Sequence, residues 1–571
     1  MKRRREVRES RGVPAQSKES SWQVWAGLAA AIAAAFQVYA PVLDGPFLFD
    51  DDYLPFRLPN FSDNLRSWLA GVRPLLMFTY WVNFRLSGSE TTFGYHVFNV
   101  IFHGINAFLI FWIVRKLLAL AAVEDARARL FSLFCGGAFL LHPVQTEAVA
   151  YVASRSENLS VMFALGALAA FLYRRTEAVT WPRAAAVLGL YLAAMASKEH
   201  TAALLGVLLL TDYYWNPGFS FQGIRRNWRL YLPMVVGAVA GLISFVPIIL
   251  HGGGAGFGLK DLKWYEYLYT QWRALFVYLR LFVFPAGLTA DWDFPFSRSP
   301  WDHLAIVGLG ALAAISAAAW IWRRRYPLAS FGWFVFLVLM APTSSIVPLT
   351  DAVAERRLYI SMIGLLLIAM EGLRRVNLDR RTLAEVMALV LMIFGVATYQ
   401  RSRVWSDAVA LWDDTVRKSP RKPRPRFQLA YAYYEHGRCA DAVTHYEAVS
   451  RLQPPSYDLY VDWALAHDCL NQMEPALEKL KKAASLERSA HVFSLMGMVY
   501  GKNRMWDRAI EMLAAAEKVS PEYAMTYVYR GGVYLGQGQR ELAIGQYRRA
   551  LALDPANRPA REGLAAAERA R

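Results

Sequence analysis

Three consecutive carboxylates, Asp50, Asp51 and Asp52, follow the first long apolar segment of the chain, residues 22–43. A segment of this length can cross a bilayer as a helix, so the acids are expected at a membrane surface. Like charges this close together raise the pKa of at least one of the three groups, which suits a general base near neutral pH. A solvated, negatively charged loop is the alternative interpretation, and position alone does not decide between the two.

Further clusters of ionisable residues lie in short loops between apolar segments. They are the segment His142 to Val149 with Arg155 and Glu157 after it, the tetrapeptide Ser197-Lys198-Glu199-His200, and Glu355-Arg356-Arg357 with Asp351 before it. Carboxylates can take the proton of an acceptor hydroxyl, whereas Arg and Lys can bind a phosphate. If all clusters meet at one membrane face, they form a site that can transfer a group from a lipid phosphate. Each Lys-Glu or Glu-Arg pair can also be a structural ion pair.

A stripe of polar residues lies inside a predicted membrane segment. Its members recur at helical spacing on one face: His96, Asn99, His103 and Asn106. Polar groups in contact with lipid are costly, so the stripe must face the interior of a bundle or a wet cavity. It either makes interhelical hydrogen bonds or forms the wall of a substrate cavity.

The elements that must position these groups are long apolar segments. Of the 571 residues, 55% are hydrophobic, and apolar runs separated by short polar loops fill residues 22–400. This pattern predicts an all-α, polytopic membrane bundle of about eleven spans. The spans are predicted at 22–43, 95–117, 129–143, 157–174, 182–197, 200–215, 230–250, 302–322, 328–348, 356–372 and 382–400. The stretch 267–285, with Arg273 and Arg280 on one face, is expected to be interfacial or re-entrant.

The net charge of +17 follows the positive-inside rule. Basic residues cluster at the ends of apolar segments, for example at Arg323-Arg324-Arg325 and Arg374-Arg375, as expected of cytoplasmic loops. No DNA- or RNA-binding motif occurs, so no nucleic-acid partner is expected. The basic segment 1–21 is expected to be a cytoplasmic tail before an uncleaved first span. The polar clusters and residues 401–571 then lie outside.

Residues 401–571 repeat with a period of about 34. Small residues and prolines recur in step, at Ala408, Ala442, Ala476, Ala509 and Ala543 and at Pro420, Pro454, Pro521 and Pro555. Gly437 and Gly538 fall at the expected turns between helices. The pattern predicts tetratricopeptide repeats stacked into an α-solenoid, whose concave face usually binds a peptide or protein. Cys439 and Cys469, in adjacent repeats, can form a disulfide or remain free, buried thiols.

Several motifs, spread over nearly the whole chain, carry a resemblance to a known family. They are Phe49-Asp50-Asp51, Arg73-Pro74-Leu75, His96 with Asn99 and His103, His142-Pro143 through Val149, Ser197-Lys198-Glu199, Pro285 through Asp291, and Ser344 through Pro348 with Glu355 through Tyr359. In this combination the chain resembles the O-mannosyltransferases that join a transmembrane domain to tetratricopeptide repeats, and their bacterial relatives. These proteins have the GT-C glycosyltransferase fold.

The resemblance implies a transferase that moves a hexose such as mannose from a polyprenyl-phosphate donor to a hydroxyl of an extracytoplasmic protein, with the repeats binding the acceptor. It implies that Asp50 or Asp51 is the base. The substrate-binding candidates are Arg73, His96, Asn99, His103, His142, Glu147, Arg155, Lys198, Glu199, Asp291, Arg356 and Arg357. No spacing typical of a metal site occurs, although the carboxylates permit a divalent metal.

The expected location follows from composition and topology. Richness in Ala and Arg suggests a bacterial inner membrane, surrounded by membrane lipid, with the N-terminus cytoplasmic, the repeats periplasmic and an undecaprenyl-linked donor. Two other functions stay open: an outer-leaflet glycan polymerase or ligase, and a non-enzymatic, membrane-anchored repeat scaffold for envelope assembly. The polymerase is expected to have its large outer loop late in the chain, whereas here the largest lies early, at residues 44–95.

Overall fold

The computed structural model describes residues 21–57, 64–89, 91–251, 256–259 and 261–569, and these residues form helices without any β-strand. The predicted all-α class is therefore confirmed. The predicted basic tail, 1–21, lies outside the described residues except for its last residue. The chain divides into two compact units, residues 1–56 with 63–406 and residues 57–62 with 407–571.

The first unit contains sixteen helices among its described residues. They are α1 (Ser21–Tyr39), α2 (Leu65–Leu69), α3 (Pro74–Ser87), α4 (Phe93–Leu120), α5 (Asp125–Leu141), α6 (Thr146–Ala150), α7 (Arg155–Leu172), α8 (Trp181–Met195), α9 (Leu204–Trp215), α10 (Gln222–Arg226), α11 (Trp228–His251), α12 (Trp264–Val283), α13 (Ala305–Ile321), α14 (Pro327–Met340), α15 (Leu358–Leu373) and α16 (Arg380–Trp405). Short 3-10 turns occupy the loops that carry the ionisable clusters, at Phe49–Tyr53, Pro143–Gln145, Val152–Ser154, Glu199–Ala203 and Glu355–Arg357.

Four helical segments in the described part of the chain are long and apolar enough to cross a membrane. They are Trp22–Val42, Phe93–Leu120, Asp302–Ile321 and Arg380–Trp405. These segments indicate a membrane protein, but they do not confirm the predicted count of about eleven spans. Several other predicted spans are shorter helices, such as α8 with 15 residues and α14 with 14 residues. Helix α12 occupies the segment predicted to be interfacial, and its depth in a bilayer stays a prediction.

Small residues let the helices of this unit approach closely. A methyl group at Gly332 of α14 would lie 2.4 Å from the carbonyl oxygen of Gly364 in α15. At the crossing of α1 and α4, a methyl group at Gly104 would lie 2.9 Å from the backbone of Ile32. Close backbone approach of this kind is how membrane helices gain packing energy where no hydrophobic effect drives them together.

The second unit is a row of helical hairpins. Its helices are α17 (Ala408–Lys418), α18 (Pro423–Glu435), α19 (Cys439–Leu452), α20 (Tyr457–Cys469), α21 (Met473–Leu486), α22 (Ala490–Lys502), α23 (Trp506–Val519), α24 (Ala524–Gly536), α25 (Arg540–Leu553) and α26 (Arg558–Arg569). Gly437 and Gly538 lie in the predicted turns with φ of 71° and 76°, a conformation that glycine adopts without strain. The predicted tetratricopeptide-type repeat is confirmed.

The cysteines of the repeat unit are bonded. Cys439, the first residue of α19, forms a disulfide with Cys469, the last residue of α20, at a Cα–Cα distance of 6.2 Å. Of the two alternatives left open by the sequence, the disulfide is the one found. The third cysteine, Cys135, is a free thiol buried in α5.

Candidate active site

The acid turn, residues 49–53, is held against the loop after α6 by one buried carboxylate. Asp51 is fully buried. Its Oδ2 accepts the N–H of Leu48 at 2.9 Å and its Oδ1 accepts the N–H of Ala153 at 2.7 Å. Burial raises the pKa of Asp51 well above its ordinary value, and the charges of Asp50 and Asp52 raise it further. Asp51 therefore anchors the turn and has no exposed oxygen with which to meet a substrate.

Asp50 lies on the surface of the same turn. Its backbone N–H donates to the hydroxyl of Tyr151 at 2.8 Å, which fixes the residue while its side chain stays exposed. The preceding residue, Phe49, has φ of 51°, an unusual conformation for a non-glycine residue that often occurs at functional sites. The structure thus distinguishes the two candidate bases: Asp50 is accessible and Asp51 is buried.

Arg356 is positioned by two acids from distant parts of the chain. Glu147, buried in α6, accepts the backbone N–H of Arg356 at 2.9 Å and forms an ion pair with its guanidinium. A second nitrogen, Nη2, lies 3.8 Å from Oδ2 of Asp351. The side chain keeps 29% of its surface exposed. Arg356 is therefore held in one orientation, and its side chain is only partly buried.

Lys198 and Arg73 add two more cations. Lys198 forms an ion pair with Glu157, whose other oxygen lies 3.3 Å from Nε2 of His200. Arg73 binds Glu199 through two parallel hydrogen bonds of 2.8 Å. The pKa of Lys198 is lowered by burial first, and the positive charges of Arg73 and Arg356 lower it further against the effect of Glu157. The side chains of Lys198, Arg73 and Arg356 are each only partly exposed. The positive charges of Arg73 and Arg356 both act on Lys198.

Tyr151 connects the acid turn with these cations. The residue is 5% exposed and its hydroxyl accepts the N–H of Asp50. Burial raises the pKa of Tyr151, the carboxylates of Asp51 and Asp50 raise it further, and the charge of Arg356 lowers it. Tyr151 therefore lies within the electrostatic reach of both the acids and Arg356. The acid turn, the loop after α6 and the segment before α15 meet around this side chain.

The polar stripe of α4 makes hydrogen bonds to other elements. His96 contacts the carbonyl of Gly45 at 3.2 Å, and His103 contacts the hydroxyl of Tyr359 at 2.8 Å. Asn99 donates to the carbonyls of Val149 and Tyr151 at 3.2 and 3.1 Å, and Asn106 donates to that of Asn158 at 2.9 Å. These bonds match the first interpretation of the stripe. Its role in a substrate cavity stays a prediction.

Arg155 is fully buried and bonded inside the protein. It donates to Asn99 Oδ1 at 3.2 Å and to the carbonyls of Thr79 and Tyr95 at 3.2 and 2.9 Å. Its guanidinium also stacks over the ring of Tyr80, 4.4 Å from the centroid. Arg155 thus fixes Asn99, and through it the loop that carries Tyr151.

The remaining candidates also lie in the interior or contact their own loop. His142 contacts the carbonyl of Phe282 at 3.1 Å, and Asp291 is 2% exposed. Arg357 donates to the carbonyls of Asp351 and Ala352 at 2.6 and 3.1 Å. These contacts do not bring His142, Asp291 or Arg357 to the accessible surface around Asp50, and their predicted part in binding substrate stays untested.

Four residues of the site were not among the candidate bases and substrate-binding residues: Tyr151, Glu157, His200 and Glu355. Glu355 is fully buried and accepts the N–H of Thr289 at 2.6 Å. Burial raises the pKa of Glu355 to about 8. Glu157, His200 and Glu355 lie within the ionisable clusters already recognised in the sequence, which was the available signal. In the described part of the chain, no group of three or more His, Cys, Asp or Glu side chains is arranged to hold a metal ion.

Comparison with known proteins identifies relatives among the protein O-mannosyl-transferases. No protein-family model matches the chain. Protein O-mannosyl-transferase F38B6.6 of Caenorhabditis elegans is 25% identical over 68% of this chain and 54% of its own length. Protein O-mannosyl-transferase TMTC3 of Mus musculus is 21% identical over 85% and 57%. TMTC4 of Homo sapiens is 23% identical over 74% and 66%. The chain thus has homologues among the O-mannosyl-transferases and spans between half and two thirds of the length of these three.

Solved structures match the repeats only weakly. TTC0263, a thermophilic TPR protein of Thermus thermophilus, is 21% identical with a TM-score of 0.26, and the match covers 32% of this chain and 96% of that one. YrrB, a TPR protein with an unusual peptide-binding site, is 19% identical with a TM-score of 0.23 over 32% and 88%. At these TM-scores neither structure supports a conclusion about this chain.

Proposed function

We propose that this chain is an integral-membrane glycosyltransferase of the GT-C type. It moves a hexose such as mannose from a polyprenyl-phosphate donor to a hydroxyl of an extracytoplasmic protein. One observation carries the proposal: an exposed carboxylate and three partly exposed cations, from four distant chain segments, lie around Tyr151 and Glu157. The similarity to O-mannosyl-transferases supports the same reaction class.

The proposed reaction assigns a separate task to each charge. The acceptor oxygen attacks the anomeric carbon of the sugar, and its proton passes to the carboxylate of Asp50. The bond between the anomeric carbon and the phosphate oxygen breaks, and polyprenyl phosphate leaves with the electron pair. Arg356, Lys198 and Arg73 stabilise the charge that develops on the leaving phosphate. Pre-positioned charges are effective here because they need little reorganisation during the reaction.

The proposed positioning residues act through these groups. Asp51 fixes the turn that presents Asp50, since both of its oxygens accept backbone N–H groups. Glu147 and Glu157 orient Arg356 and Lys198 through ion pairs. Each of these carboxylates is nearly fully buried. Removing Glu147 or Glu157 would let the paired cation move out of position. The loss in rate would then exceed the loss in substrate binding.

The repeat unit is proposed to hold the protein acceptor outside the cytoplasm. The disulfide between Cys439 and Cys469 supports an oxidising compartment, because disulfides are rare in the cytosol. Helices α18 and α20 carry a group of acids, Glu435, Asp458 and Asp462. Burial raises the pKa of Asp462 to about 7, and the charges of Asp458 and Glu435 raise it too. An acceptor segment with cationic residues would relieve this repulsion.

Glycoproteomics of secreted proteins tests the proposed function. Cells that carry the wild-type chain, no chain or the Asp50→Asn variant are compared for hexose on Ser and Thr residues. We expect a set of O-hexosylated peptides in the wild type alone. If this set is the same in all three strains, the transferase assignment is wrong. If the wild type instead changes only the length of an envelope glycan, the polymerase or ligase alternative takes its place.

A further inference from the structure

A cavity of about 220 Å³ lies between α13, α14 and α15, in a part of the first unit that the proposed reaction does not use. Its wall is apolar and aromatic, and includes Ile315, Ala319, Trp322, Tyr326, Trp333 and Ile368. Two polar side chains of the wall already have partners. The hydroxyl of Ser330 contacts that of Tyr214 at 2.6 Å, and Nε1 of Trp333 donates to Ser316 at 2.9 Å. The cavity therefore suits a hydrocarbon segment.

Arginines surround one end of this cavity. Tyr326, a wall residue, has the guanidinium of Arg375 at 4.3 Å and that of Arg325 at 5.5 Å from its ring centroid. Arg323 and Arg324 lie in the same turn, between the wall residues Trp322 and Tyr326. Trp322 is 55% exposed, so this end of the cavity meets the surface at the arginine turn.

The charge at this end is not balanced by acids. Glu371 forms ion pairs with Arg374 and Arg375, at 2.8 Å each. Among the described residues, the three arginines 323–325 have no carboxylate within ion-pair distance. A cluster of guanidinium groups without carboxylate partners, beside an apolar slot, is complementary to one kind of molecule: a phosphate head group with an acyl chain attached.

We propose that this cavity and the arginine turn bind an anionic glycerophospholipid. One acyl chain enters between α13 and α14, and the head-group phosphate contacts Arg324 and Arg325. The cavity is smaller than pockets that enclose a whole ligand, about 300–1,000 Å³, and so fits a chain segment. The site is distinct from the sugar-transfer site, because the sequence predicts residues 323–325 on the membrane face opposite to Asp50.

Lipid titration of the purified full-length chain tests the arginines. The chain in neutral detergent is titrated with phosphatidylglycerol, and bound lipid is counted by native mass spectrometry. At about 1 kcal/mol for each arginine, R324Q/R325Q is expected to weaken binding about 30-fold. The control R225Q/R403Q removes two exposed arginines elsewhere in the same unit and is expected to change binding less than about threefold. Equal weakening in both variants would overturn the proposal.

A second pair of variants tests the cavity. A319F fills it, whereas A317F adds the same ring to the outward face of the same helix. A319F is expected to abolish lipid binding, whereas A317F is expected to retain it. Retention of binding in A319F would overturn the proposed position of the acyl chain. Three further outcomes would also overturn the assignment: equal binding of phosphatidylcholine, displacement by inorganic phosphate alone, and arginine-dependent binding of polyprenyl phosphate in place of phosphatidylglycerol. If A319F fails to fold, the arginine variants still decide.

Discussion

Replacement of Asp51 by Asn separates the anchor of the acid turn from its exposed neighbour. An Asn side chain keeps one oxygen for the N–H of Ala153 but turns an amide NH₂ toward the N–H of Leu48. The N–H of Leu48 and the new amide NH₂ are then buried donors without acceptors, at a cost of about 1–3 kcal/mol each, so the unit is expected to lose roughly 2–6 kcal/mol. Asp50→Asn changes an exposed side chain and is expected to stay within about 0.5 kcal/mol.

The pKa of Asp51 makes this difference depend on pH. Because the folded pKa lies well above the ordinary value of 3.8, the folded wild type binds this proton more tightly than the unfolded chain does. The contribution of Asp51 to stability is therefore largest at low pH and falls as the carboxyl ionises in the folded state. Asn has no such dependence. The destabilisation by Asp51→Asn is thus expected to be larger at pH 5 than at pH 8.

Cys135 supplies a specific readout for this experiment. It is the one thiol outside the disulfide and is buried in α5, so a maleimide dye labels it when the first unit unfolds. With about 2 °C lost for each kcal/mol, Asp51→Asn is expected to lower the labelling midpoint by roughly 4–12 °C. Equal midpoints for Asp50→Asn and Asp51→Asn at pH 5 would refute the assignment of Asp51 as the anchor.

Three further predictions concern other charges. Asp462 has a folded pKa of about 7 against an ordinary 3.8, so it contributes most stability below pH 4 and loses it as pH rises to 7. Asp462→Asn is therefore expected to flatten the pH dependence of the thermal stability of the repeat unit over this range, by at most about 4 kcal/mol. An unchanged slope in this variant would contradict the effect of burial on Asp462. Arg356→Lys removes the planar guanidinium and is expected to lower kcat about 10- to 100-fold in a transfer assay, a larger factor than the rise in KM. An unchanged kcat would exclude a role of Arg356 at the leaving group. Arg155→Lys is expected to destabilise the first unit by about 2–4 kcal/mol, because the carbonyls of Thr79 and Tyr95 lose their donors, and so to lower the Cys135 labelling midpoint. An unchanged midpoint would contradict the role of Arg155 as a core residue.

The repeat unit was predictable because its signals are local. Helix-crossing alanines, prolines after helices and turn glycines recur within one period, and each acts on residues a few positions away. Gly437 illustrates this, since the turn between α18 and α19 requires its positive φ. The two helices of a hairpin are adjacent in sequence, so no distant partner had to be inferred.

The candidate site was predictable in residue type but not in pairing. The sequence indicates Glu147 and Arg356 as ionisable residues of outer loops, yet the ion pair joins positions 209 residues apart. Arg73 and Glu199 are separated by 126 residues. Partner choice across such distances depends on helix packing, which local periodicity does not encode. The same holds for Asp51, which is buried because Ala153 contacts it from the loop after α6.

The number of membrane spans shows a different limit. Apolar periodicity locates helices well, as α13 and α14 illustrate, but it does not distinguish a spanning helix from a shorter buried one. Helix α14 is apolar throughout and has only 14 residues, fewer than the ~20 that a span perpendicular to the bilayer needs. Its depth depends on tilt and on its neighbours, which the sequence does not state.

Transfer by the purified chain is the most direct test of the account. Full-length protein in phospholipid nanodiscs receives polyprenyl-phosphate mannose with a radiolabelled sugar and a Ser- and Thr-rich peptide library. We expect labelled peptide and free polyprenyl phosphate from the wild type, and a rate about 10²- to 10⁴-fold lower from Asp50→Asn with an unchanged Cys135 labelling midpoint. Undiminished transfer by folded Asp50→Asn, or no transfer by the wild type from any polyprenyl-phosphate sugar, would contradict the account.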